Sequence, residues 1–205
     1  MHILQQTWRA LDLSQHDDLF QDIMLRYQEP WRAYHTLQHL AECFDFWQQL
    51  QAEFHSPKIV ALALFYHDIV YDPRSNMNEE YSSQYAVQKL AKINLNCEEI
   101  EIIRQFIFAT KTHQNPFASH HPYYQDLNYL LDIDLAILAS TAERFSEYEQ
   151  QIRQEYQWVE INIYQQKRHD VLYGFYQQRH LFKTEFFQNN YQAKAIDNIK
   201  KLLNL

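Results

Sequence analysis

A single glycine, Gly174, stands in this chain of 205 residues, beside five prolines. Tight hairpin turns lean on glycine for backbone conformations with positive φ. A chain so poor in it has little means of building the closely spaced turns of a β-sandwich, so helices are expected. The same scarcity excludes a phosphate-cradling P-loop and a dinucleotide-binding fingerprint, each of which needs several glycines. Hydrophobic residues make up 46% of the chain, enough for the core of one all-α domain over residues 1–205.

Pro30, Pro57, Pro73, Pro116 and Pro122 fall where helical patterns start or stop. Between them the periodicity predicts helices over residues 3–12, 16–28, 35–54, 57–69, 78–93, 97–112, 123–139, 142–166, 169–180 and 185–203. Phe145, Tyr148, Ile152, Tyr156, Val159 and Ile163 form a stripe at helical spacing, which predicts one long helix burying one face. The run from Ile59 to Tyr66 is apolar on every side, which predicts a central helix buried all round.

The net charge of −8 makes a nucleic-acid duplex or an anionic membrane a poor partner, while a small phosphorylated ligand answers to local charge instead. Cys43 and Cys97 are too few for a disulfide framework and suit a reducing cytoplasm. The first ten residues lack a basic-then-apolar signal, and no run approaches membrane-spanning length. Tyr123, Tyr124 and Tyr129 look exposed, as for a subunit contact or a stacked nucleobase, but core packing is the expected role of most such aromatics.

Three places put chemistry inside apolar surroundings. His35 and His39 are spaced to project from one side of a helix, above Cys43 and Phe46. His67 and Asp68 close the apolar run; adjacent helical residues diverge by about 100°, yet both reach one point near the helix end. In "LLDIDLAIL", Asp132 and Asp134 lie about 200° apart, so both cannot face inward. Asp134 shares the side of Leu127, Leu131 and Leu138, whereas Asp132 aligns with Gln125 and Asn128 and reads as wet. A buried carboxylate needs a cation, either a metal ion or an arginine such as Arg153. Imidazole and carboxylate together suit a divalent metal.

Read in order, "RAYHTLQHL" (32–40), "FYHDIVYD" (65–72), "NEEYS" (78–82), "ATKTH" (109–113), "LLDIDLAIL" (130–138) and "IRQEY" (152–156) resemble the HD superfamily of metal-dependent phosphohydrolases, over nearly the whole chain. The resemblance implies an HD-type helical bundle with one divalent ion (Mn, Co, Ni, Mg, Fe or Zn) held by His35, His67, Asp68 and Asp134. It favours His35 over His39 as the first ligand and leaves His39 to support the ligands from behind or to contact phosphate.

The implied reaction is hydrolysis of a phosphomonoester or phosphoanhydride, on a small nucleotide-like molecule, by metal-activated water. Asp68 would ligate the metal and orient that water, Lys111 would hold phosphate, and His113 would donate the proton to the leaving oxygen. Arg32 and Arg153, with Arg74 and Arg168 behind them, are phosphate-binding candidates by residue type. Glu79 is expected to support His67 or the water, and Asp72 to order the loop around Pro73. A second metal would need histidines from His113, His120 and His121; the last two read as surface residues before Pro122, so one ion is expected. The alternatives are a metal- or nucleotide-binding sensor without turnover and a di-iron oxygenase of the same superfamily.

Overall fold

The computed structural model describes residues 2–205, and every regular element among them is helical. The chain divides into two compact units, one ending at Leu130 and the other running from Leu131 to Leu205. The division falls inside one unbroken helix, so no linker separates them.

The first unit carries α1 (His2–Ala10), α2 (Asp17–Arg26), α3 (Leu37–Gln49), α4 (Pro57–Tyr66), α5 (Asn78–Leu90), α6 (Cys97–Ala109) and the start of α7 (Tyr124–Asp134). Helix α4 is its axis, packed against α3, α5 and α6. Pro57 occupies the first turn, where its missing N–H costs nothing. All eight residues from Ile59 to Tyr66 are at most 1% exposed, as an apolar run without a polar face requires. Each large side chain there contributes roughly 1.5–3 kcal/mol by leaving water. Helix α6 opens on a capping box: the Asn96 side chain accepts from the Glu99 N–H at 2.9 Å and Glu99 accepts from the Asn96 N–H at 2.8 Å. It ends at Ala109, and four residues on His113 takes a φ of 50°, which turns the chain away. Tyr129 packs into the core, buried with its ring edge-on to Phe54 at 5.6 Å.

The second unit holds the end of α7, a 3₁₀ segment (Leu135–Ala139), α8 (Ala142–Glu155), α9 (Ile161–Tyr176), α10 (Glu185–Asn190) and α11 (Gln192–Leu203). The expected long helix over 142–166 is two. Arg153 donates to the Tyr156 and Val159 carbonyls at 2.8 and 3.2 Å, which closes α8. Glu160 then accepts from the Asn162 and Ile163 N–H groups at 3.0 and 3.2 Å and starts α9. The apolar stripe therefore stops: Phe145, Tyr148 and Ile152 are buried, but Ile163 is 55% exposed. The segment predicted to begin a helix at residue 169 belongs to α9, and the 185–203 helix divides at Tyr191. No described helix is long and apolar enough to cross a membrane.

Candidate metal centre

Helix α3 starts later than the spacing suggested. Thr36 is its N-cap, accepting from the Gln38 N–H at 3.3 Å, and the first helical residue is Leu37. His39 thus lies in the first turn and is buried, while His35 precedes the helix. The imidazole of His39 is held by its surroundings. Its Nδ1 lies 3.0 Å from the Tyr34 hydroxyl, and the Cys43 Sγ lies 3.8 Å from both of its nitrogens. Its Nε2 points at His67 Nε2, 3.1 Å away.

His67 and Asp68 follow the last residue of α4. His67 Nδ1 donates to the Leu64 carbonyl at 2.7 Å, one turn back. That bond selects the tautomer whose Nε2 carries a lone pair. Asp68 Oδ2 stands 3.0 Å from this Nε2 and 3.7 Å from His39 Nε2. The Asp68 backbone is tied at both ends: its N–H donates to the Tyr27 hydroxyl at 3.3 Å and its carbonyl accepts from Arg32 at 2.8 Å. Asp134 closes α7, and His39, His67, Asp68 and Asp134 each offer one donor atom, all within 4.8 Å of one another.

Two imidazole nitrogens and two carboxylates facing one point are mutually unfavourable without positive charge between them. A proton satisfies one pair; a divalent cation satisfies all four. Two nitrogen and two oxygen donors suit a transition metal of borderline hardness and leave coordination positions open. The donor set therefore fits a divalent ion.

The first position differs from expectation. His39, not His35, joins the group, because α3 begins at Leu37 and His35 and His39 do not share a helix. The His35 ring stacks on Tyr71 at 4.1 Å, its centroid 6.1 Å from that of His39. His35 is thus a neighbour of the centre, and His39, expected behind the ligands or at phosphate, is instead one of the four side chains that could hold the ion.

Asp132, which read as wet, is buried. It accepts from the Lys183 N–H, the Thr184 N–H and the Thr184 hydroxyl, each at 2.7 Å. Burial pushes its carboxyl up to about 6, against those bonds, which favour the charged form. Nothing in the sequence near residue 132 signals partners some fifty residues downstream.

Arg32 is also buried, and its guanidinium is consumed by the fold. It donates to Glu29 (3.0 Å) and to the carbonyls of His35 (3.0 Å), Asp68 (2.8 Å) and Ile69 (3.1 Å). It therefore clamps the segments carrying His35 and Asp68 rather than offering itself to phosphate. Lysine, a point charge, cannot reproduce this fork. Arg32→Lys is expected to lower stability by about 2 kcal/mol, read as the shift of a urea midpoint.

Lys111 donates to the Asn76 carbonyl at 2.8 Å and pairs with Glu80, whose carboxyl it holds below the usual range. Burial, and after it the charge of Asp68, hold the Glu79 carboxyl above the usual range against a bond from its own backbone. Asp72 orders its loop: it accepts from the Arg74 N–H at 2.9 Å, while its own N–H and carbonyl bond to the Asn78 side chain. Arg153 sits at the end of α8, over the Tyr164 ring at 4.8 Å, and Arg168 pairs with Glu149. His120 is exposed, and His121 stacks on Phe117 at 4.1 Å. Tyr27 and Tyr34, which hold Asp68 and His39, were not singled out in the sequence; Tyr34 directly precedes His35, and its own spacing carries no signal.

Comparison of the chain with protein-family models, with curated proteins and with solved structures gives no match. What the fold and the site define is a helical protein with a His₂Asp₂ group, its histidines buried and its aspartates partly so, that can hold a metal ion.

Proposed function

We propose that this protein is a metal-dependent phosphohydrolase acting on a phosphomonoester or phosphoanhydride of a small, nucleotide-like molecule. The reading rests on the convergence of His39, His67, Asp68 and Asp134, whose donor atoms lie within 4.8 Å of one another. The motif order that resembles the HD superfamily supports it. A bound divalent ion supplies a lowered pKa for water and polarisation of a phosphoryl oxygen. The chain's own residues do the rest. Asp68, tied through its backbone to Tyr27 and Arg32, orients the attacking water with the oxygen not turned to His67. Lys111, next to Glu80, draws in the phosphate, and His113, in the left-handed turn that follows α6, gives the leaving oxygen its proton. The two free thiols suit a reducing compartment, the cytoplasm.

The test is an assay of purified protein loaded with manganese, cobalt, nickel or magnesium against nucleotides and generic phosphoesters. Release of phosphate that requires the metal is expected. A metal-replete protein inert towards the whole panel would overturn the hydrolase reading and leave a binding module. Two irons per chain with a characteristic visible or spin-resonance signal would point to an oxygenase instead.

A further inference from the structure

Helix α9 is the least covered long helix of the second unit: of its residues from Ile161 to Tyr176, Leu172 alone is fully buried. At about 100° per residue, Ile163, Lys167, Asp170 and Gly174 form one narrow stripe opposite Leu172. Ile163 is 55% exposed, and Val171, on the flank of the stripe, is 50% exposed. Lys167 makes no ion pair among the described residues, and Asp170 is bonded only within its own helix, to Gln166 at 2.8 Å and beside His169 at 3.8 Å.

The glycine is the informative residue. Gly174 is the only one in the chain, and it sits inside a helix, where glycine lowers stability. No backbone requirement explains it, since the chain has no glycine with positive φ. No packing within the chain explains it either, since a Cβ added there would meet nothing within 4 Å. What remains is close approach from outside.

We propose that α9 is a homodimer interface, in which α9 of a second copy of this chain lies antiparallel across the stripe. A two-fold axis at the level between Arg168 and His169 sets Lys167 of each copy against Asp170 of the other. The same axis sets each Ile163 against the other copy's Gly174, a projecting side chain against a gap. It also makes the two α9 helices overlap over their whole length, because their ends are symmetric about it. One register therefore satisfies charge, shape and helix length together, and Gly174 allows an interaxial distance at the short end of the usual range of about 8–10 Å. A single helix pair covers less than a standard interface of ~1,600 Å², so the dimer is a weak one, forming at micromolar concentrations.

Sedimentation equilibrium on the full chain tests this. The wild type is expected to pass from the monomer mass of 25.0 kDa to twice that mass as concentration rises to about 200 µM. Lys167→Asp makes the stripe wholly acidic and Asp170→Lys wholly basic, so each alone is expected to stay monomeric. Mixed, the two restore both cross-pairs and are expected to form a one-to-one heterodimer. Gly174→Leu is expected to abolish dimerisation while raising the melting temperature of the dilute chain, so that lost association is not mistaken for lost folding. A wild-type mass of 25.0 kDa throughout, or a dimer that Gly174→Leu leaves intact, or a mixture that stays monomeric beside a dimeric wild type, overturns the proposal.

Discussion

Asp132→Ala is expected to destabilise the protein by about 3 kcal/mol, the largest loss of stability predicted for any single side chain outside the apolar core. The carboxylate is the common acceptor of two backbone N–H groups and one hydroxyl, all from Lys183 and Thr184 and all at 2.7 Å. Alanine leaves these donors without a partner in a buried place, and each buried unmet donor costs about 1–3 kcal/mol. Part of the loss is offset, because alanine also removes the cost of burying a charge, which is what pushes the Asp132 carboxyl up to about 6. The second consequence is local. Thr184 also caps α10, accepting from the Phe187 N–H at 3.4 Å, so the start of that helix loosens with it. Asp132→Asn keeps the volume and one acceptor and should lose about half as much.

The pH dependence separates these effects. The folded carboxyl lies above its unfolded value of 3.8, so the native state holds more protons between about 4 and 6. Stability from this group therefore rises as pH falls through that window and is lowest above it. The gap between wild type and Asp132→Asn should widen from pH 7 to pH 4, measured by urea unfolding at each pH. An Asp132→Ala loss below about 1 kcal/mol would show that the carboxylate does not fasten this segment, and a gap that narrows on acidification would show that its bonds outweigh its burial in setting its titration.

How far the sequence speaks for this molecule depends on distance along the chain. The axis α4 is legible because an eight-residue apolar run has one physical outcome in a folded helical protein, and all eight residues are buried. Asp134 is legible because its side of the helix is marked by leucines on neighbouring turns. The choice between His35 and His39 was not, since equal spacing served both. It turns on one capping bond: Thr36 starts the helix after His35, so only His39 is carried inward by it. The burial of Asp132 is illegible for a related reason. Helical phase compares a residue with its neighbours in sequence, whereas the groups that bury Asp132 arrive from residues 183 and 184. The break between α8 and α9 is likewise made by side chains, Arg153 and Glu160, that leave the apolar periodicity untouched.

His67→Ala and Asp68→Ala are expected to abolish metal binding and to lower phosphate release by about 10³-fold, with little change in fold. The magnitude follows from what the ion contributes: several kcal/mol of charge stabilisation, at a tenfold change in rate per 1.36 kcal/mol. Elemental analysis of protein purified without a metal-affinity tag should find about one divalent ion per wild-type chain and almost none in either variant. The two histidines of α3 and its approach give the sharper contrast. His39→Ala should lose the ion, because its Nε2 is 3.1 Å from His67 Nε2 and belongs to the converging group. His35→Ala should keep it, because its ring is stacked on Tyr71 and lies outside that group. A readout independent of turnover comes from thermal unfolding. An ion that binds only the folded chain adds about 2.7 kcal/mol at a hundredfold excess over its dissociation constant. Wild type and His35→Ala should therefore melt higher when manganese is added, and His39→Ala, His67→Ala and Asp68→Ala should not. Equal stabilisation of all five proteins would place the ion elsewhere and remove the ground for hydrolysis at this centre, because the four donors would then be held together by protons alone.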